Sequence, residues 1–173
     1  MNSKAVYIFP YYFFHSDEIF FSSDGFRKED AFFLISTLYL NILENLYNKE
    51  DKIDLYCIWN ESDKDNLPEE LKRNNYKIIY TDVSNKKIIF DKLSSKEFLS
   101  YKNNLLVCSD VIDVKPSDYE QYFNLLNIEN ESLVIAKNKE NNIAVFGFNN
   151  YSEEINKSLL LSEFDYSNFL GRV

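Results

Sequence analysis

Glycine and proline are scarce, at three each in 173 residues. Loops that cradle phosphate need bare backbone close to the ligand, which glycine supplies. With only Gly25, Gly147 and Gly171 present, neither a phosphate-binding P-loop nor a dinucleotide fingerprint can be built. Histidine occurs once, as His15, so one side chain at most has an ordinary pKa near neutrality. No serine or cysteine context beside it marks a nucleophile, and a catalytic triad is unsupported. The two cysteines, Cys57 and Cys108, each sit inside an apolar run and read as reduced core thiols. Two cysteines and one histidine also make a poor zinc site. Basic residues are outnumbered, 19 Lys and Arg against 28 Asp and Glu, for a net charge of −9. That balance argues against nucleic acid, whose binding rests on neutralising phosphates. No apolar run is long enough to span a bilayer. The N-terminal apolar run breaks at His15-Ser16-Asp17-Glu18 and lacks a small-residue cleavage pattern. The expectation is a cytoplasmic chain without a membrane partner.

Aromatics and aliphatics are abundant: 15 Phe, 13 Tyr and 45% hydrophobic residues overall. Such a chain can build a real core, and its length suits a single domain over residues 1–173. Lys4–Phe9 is β-rich and closed by Pro10, a first buried strand. Residues 27–47 carry a helical period, with Ala31, Ile35, Leu38, Ile42 and Leu46 on one face. Strands are expected at 53–59, 76–80, 105–108, 133–136 and 143–148. Pro68-Glu69-Glu70 opens a short helix to about residue 74. Ile88-Ile89-Phe90 fits strand or helix equally. Ser94 with Glu97, and Ser117 with Glu120, have capping-box spacing. Ser152 ahead of Glu153-Glu154 starts a last helix through Leu161, and 162–173 reads as a surface strap. Alternating strands and helices predict an α/β three-layer sandwich, a mainly parallel or mixed central sheet flanked by helices.

The strand at 105–108 runs directly into Ser109-Asp110. A carboxylate at the exit of a buried strand stands where α/β proteins place substrate-facing groups. A helix-like segment from Lys115-Pro116-Ser117 through Leu126 and two apolar runs follow, the second ending Ala144-Val145-Phe146-Gly147-Phe148. This order of elements resembles the second half of a nucleotide-diphospho-sugar transferase domain of the glycosyltransferase-A-like superfamily. The likeness is greatest to a small bacterial family catalogued as a domain of unknown function. The resemblance implies a nucleotide sugar as substrate and a divalent metal, Mg²⁺ or Mn²⁺, at Asp110, with Asp113 as a second ligand. Where the family has an acid and paired glycines in a hairpin turn, this chain has Glu140 and Asn141-Asn142. Glu140 and Asn141 are therefore substrate-binding candidates, or an ordinary exposed turn. Relatives carry a glycine and a basic run after the first strand. This chain has Tyr11-Tyr12-Phe13-Phe14-His15-Ser16-Asp17-Glu18. Arg27 and Lys28, at the start of the long helix, are the nearest cations in sequence for a phosphate, and His15 is a further substrate-side candidate.

Two readings of function stand together. One is a divergent transferase moving a glycosyl or nucleotidyl group from a nucleotide donor, with the leaving diphosphate stabilised electrostatically. The other is a catalytically inactive scaffold of the same fold, serving as a ligand-binding or protein-interaction module. Its aromatic, acidic segment at 11–26 would then meet a protein partner or a second copy in a homodimer. Trp59 fits either a stacking platform for a base or sugar, or the core.

Overall fold

The computed structural model describes residues 3–10, 28–47, 53–72, 76–83, 85–94, 100–109, 111 and 114–173. Six strands form one sheet: β1 (Lys4–Phe9), β2 (Ile53–Asn60), β3 (Lys77–Thr81), β4 (Asn103–Cys108), β5 (Leu133–Lys137) and β6 (Ile143–Phe148). Their order across the sheet is β3-β2-β1-β4-β6-β5. β1 pairs in parallel with β2 and with β4, and β2 with β3. β6 runs antiparallel to both β4 and β5, so the sheet is mixed with a parallel centre.

Side-chain alternation sorts the strands onto two faces. On one face Val6, Ile8, Cys57, Trp59, Leu105, Val107 and Val145 meet two helices. These are α1 (Lys28–Tyr47), through Tyr39, Ile42, Leu43 and Leu46, and α3 (Pro116–Leu126), through Tyr119, Phe123 and Leu126. On the other face Tyr7, Phe9, Tyr56, Ile58, Leu106, Cys108, Phe146 and Phe148 are covered by three. α2 (Lys86–Ser94) contributes Ile89 and Phe90, α4 (Glu153–Leu161) contributes Leu159, and α5 (Tyr166–Leu170) contributes Phe169. The result is a helix–sheet–helix sandwich in which β1 is buried on both faces, as a central parallel strand should be. Cys57 and Cys108 are buried on opposite faces of the sheet. Burial pushes the Cys57 thiol up, away from thiolate.

Aromatic residues do much of the packing. Tyr7 stacks on Tyr56 at 4.8 Å between centroids, and Phe146 meets Phe169 edge-on at 5.5 Å. The Tyr39 hydroxyl donates to the Ile58 carbonyl at 2.6 Å, pinning α1 to β2. At the amino end of the parallel strands the Tyr101 hydroxyl donates to Asp54 at 2.5 Å and shares a 2.7 Å bond with the Tyr56 hydroxyl. Lys77 donates to Tyr56 at 3.1 Å. The chain of bonds ties the starts of β2, β3 and β4 together.

Several local expectations change. Ile88-Ile89-Phe90 is helical: Ile89 and Phe90 pack over the sheet while Ile88 is exposed. The short helix expected from Pro68 is 3₁₀ over Glu69–Lys72, preceded by a 3₁₀ segment at Glu61–Asn66, and residues 73 and 74 lie outside the described residues. α3 begins earlier than the Ser117–Glu120 box implies. Pro116 takes the first turn, and the Asp118 carboxylate accepts from the Lys115 amide at 2.8 Å. Residues 162–173 are not a surface strap: Phe164 and Phe169 are fully buried, and Asp165 caps α5 by accepting from the Asn168 amide at 2.7 Å. The helix at Ser152 is as expected, its hydroxyl accepting from Ile155. The Ser94–Glu97 box lies outside the described residues.

Candidate functional site at the carboxyl edge

The strand order reverses direction at β1. Its crossover leads to β2 on one side, while β4 lies on the other. Open α/β sheets bind ligands in the crevice that such a switch leaves outside the carboxyl ends of the strands. Here that edge is marked by Phe9 at the end of β1, Pro10 just after it, and Ser109 after β4. The Ser109 amide donates to the Phe9 carbonyl at 2.9 Å and holds the two strand ends together. The Ser109 side chain is only 1% exposed, and its hydroxyl has no hydrogen-bond partner. Tyr119, in the first turns of the helix that follows, is likewise buried with an unpartnered hydroxyl, and burial pushes its pKa up. Buried polar atoms without partners are unusual, and each calls for a cause.

The β5–β6 hairpin delivers its turn to the same edge. β6 pairs Val145 with Val107 of β4 and Ile143 with Lys137 of β5, so residues 138–142 lie beyond the carboxyl end of β4. Glu140 is exposed there, and its amide donates to the Asn138 side chain at 3.0 Å. Asn141 takes a left-handed conformation, φ 69°, the role in which asparagine replaces glycine. Its side chain is already engaged. The amide nitrogen donates to Asp165 at 3.0 Å and to Ser167 at 2.9 Å, and its oxygen accepts from Lys137 at 2.9 Å. The Asn141 carbonyl accepts from Tyr166, and Phe164 accepts from Ile143 at 2.7 Å. Hydrogen bonds from Asn168 and Asn141 hold the Asp165 carboxyl below its usual range. The turn is thus locked onto the C-terminal segment.

Of the candidates from sequence, Glu140 and Asn141 are placed at this edge, together with Ser109. Asp110, Asp113, Arg27 and His15 lie outside the described residues, as does the aromatic segment at 11–26. Lys28 is described only as the first residue of α1. Among the described residues no three His, Cys, Asp or Glu side chains converge as a metal group. Trp59 belongs to the core: it is 3% exposed, its indole N–H donates to the Asp63 carbonyl at 3.0 Å, and it meets Tyr39 edge-on. Sequence reasoning missed the buried hydroxyls of Ser109 and Tyr119. A serine closing an otherwise apolar strand was the available signal.

No family model and no curated protein matches the sequence. Solved structures do match. A provisionally described nucleotide-diphospho-sugar transferase from Desulfovibrio desulfuricans G20 superposes with a TM-score of 0.71 at 15% identity, covering 99% of this chain and 75% of that one. The chain has the nucleotide-diphospho-sugar transferase fold. A CMP:2-keto-3-deoxy-manno-octonic acid synthetase complexed with CTP is more distant, with a TM-score of 0.52 and 10% identity over 96% of this chain and 87% of that one. At these identities the likeness concerns the fold. Among the described residues no helix is long and apolar enough to cross a membrane.

Proposed function

We propose that this chain binds a nucleotide sugar or nucleotide in the crevice between β1 and β4 and transfers a glycosyl or nucleotidyl group from it. The observation that carries this reading is Ser109: its hydroxyl is buried and unpartnered where the strand order reverses, one residue before Asp110. The fold supports the same class of ligand, since both structural neighbours are described by their handling of nucleotide-linked substrates. A diphosphate would otherwise be repelled by a chain of net charge −9. Ser109, Asp110 and Asp113 offer hard oxygen donors within five residues, chemistry that fits Mg²⁺ or Mn²⁺. Asp110 and Asp113 would hold the ion, which when bound would neutralise charge on the leaving phosphate. α1 and α3 each follow a strand that ends at this edge, and helix starts favour anions. Arg27 and Lys28 would complete the phosphate side, and Glu140 would face the acceptor.

A second reading, a scaffold that keeps the fold without turnover, is favoured by one observation. The Asn141 side chain is consumed by Lys137, Asp165 and Ser167 rather than offered to a ligand. Turnover separates the two. With Mn²⁺ present, release of nucleoside phosphate or pyrophosphate from a panel of nucleotide sugars and nucleoside triphosphates is expected to be abolished in Asp110→Asn. Binding of a donor with no product, with or without an acceptor sugar, would favour the scaffold.

A further inference from the structure

An open groove of about 1100 Å³ lies between α2 and α4, on the sheet face that carries Tyr7 and Phe9. Asn156, on the inner side of α4, lines it. That residue is 6% exposed, and its side-chain nitrogen has no hydrogen-bond partner. It occupies an inward position of the helix, three residues before fully buried Leu159, where an apolar residue would pack at no polar cost. An unpaired amide in such a place costs stability unless something supplies an acceptor.

The rest of the lining narrows the chemistry of that acceptor. Lys86, Lys87 and Lys157 face Asp82, Asp91 and the Glu153–Glu154 pair. Among the described lining residues charges of both signs are nearly equal in number, a balance that favours neither a phosphate nor a cation. The Tyr151 ring and Leu160 supply apolar wall. A neutral ligand with a hydroxyl or amide edge and an apolar C–H face matches both features, since polar groups orient while apolar surface supplies contact. We infer that the α2–α4 groove is a binding site for a neutral carbohydrate, with the Asn156 amide donating to a sugar hydroxyl or acetamido oxygen. The site stands independently of the transferase reading: it shares no described residue with the β1–β4 edge.

The test uses the full chain and three neutral probes, maltotriose, cellotriose and triacetylchitotriose, at millimolar concentration. ¹⁵N–¹H spectra follow the Asn156 side-chain amide, identified by its loss in Asn156→Leu. One probe is expected to shift that resonance and backbone signals of residues 82–91 and 151–161, and these shifts are to disappear in the variant. Asn156→Leu is also expected to raise the unfolding temperature, because it removes an unsatisfied buried amide. Tyr151→Leu, which removes the aromatic ring from the groove wall, is expected to weaken binding at least threefold. It keeps the test open if Asn156→Leu does not fold. No shift with any probe, or binding unchanged in the variants, would overturn the assignment.

Discussion

Gly147 offers the sharpest quantitative test of the packing. It sits one residue before the end of β6, opposite Leu105 of β4 and Val134 of β5, and Leu126 of α3 approaches it. A Cβ at this position would lie 2.6 Å from Leu105 Cδ2 and 3.2 Å from Leu126 Cδ1. Both leucines are fully buried, so neither can swing into solvent. Gly147→Ala therefore forces Leu105 off its rotamer within a close-packed layer, at a cost of about 1–3 kcal/mol. For a chain of this size that corresponds to a fall in Tm of about 2–12 °C. Thermal and urea unfolding followed by circular dichroism would read it, with the urea m-value unchanged. Leu105→Val removes one of the crowding carbons, so the double variant is expected to lose less than the sum of the two single changes. A Gly147→Ala protein whose Tm lies within about 1 °C of the parent would refute the reasoning. So would strictly additive behaviour in the double variant.

Other outcomes follow from individual contacts. Tyr101→Phe removes the hydroxyl that bridges Asp54 and Tyr56 and is expected to cost about 1–3 kcal/mol, readable in urea unfolding. Ser152→Ala removes the α4 cap and should cost about 0.5–2 kcal/mol. Asp165→Ala is expected to destabilise at neutral pH and less so in acid. The folded-state pKa of Asp165 is depressed by Asn168 and Asn141, so its contribution is present above the ordinary aspartate range and is lost as pH falls through the folded value. Parent and variant stabilities measured from neutral to acid pH should converge at the acid end. Asn141→Ala places a Cβ-bearing residue without asparagine's hydrogen bonds at φ 69° and should loosen the tie between the hairpin and α5. Faster amide exchange at Tyr166, whose N–H donates to Asn141, would report it.

Much of the fold was legible because hydrophobic period carries element type. The strands at Lys4–Phe9 and Ile143–Phe148 and the long amphipathic α1 appear where the pattern places them. Legibility failed where a short segment's burial depends on distant partners. Phe164 and Phe169 look like tail residues until they are seen against Phe90 and Phe146. Gly147, part of the resemblance, is explained by the approach of Leu105 and Leu126. The candidate site was legible only as a place. Asn141 stands where the family has a glycine, and it holds the turn with a positive φ. Its three side-chain bonds to Lys137, Asp165 and Ser167 depend on long-range placement that no local pattern encodes. Asn156 was passed over in the sequence; its signal is a polar residue on an apolar helix face, an inconsistency of the kind that marks functional positions.

The central claim is that the β1–β4 edge receives a nucleotide. Thermal unfolding of the full chain with nucleotides and nucleotide sugars, with and without Mn²⁺, addresses it most directly. A nucleotide at about one hundred times its dissociation constant should stabilise the fold by about 2.7 kcal/mol. The predicted result is a rise in Tm that requires Mn²⁺ and disappears in Asp110→Ala, while Asn156→Leu retains it. No rise with any nucleotide at millimolar concentration, or a rise that survives Asp110→Ala unchanged, would contradict the claim.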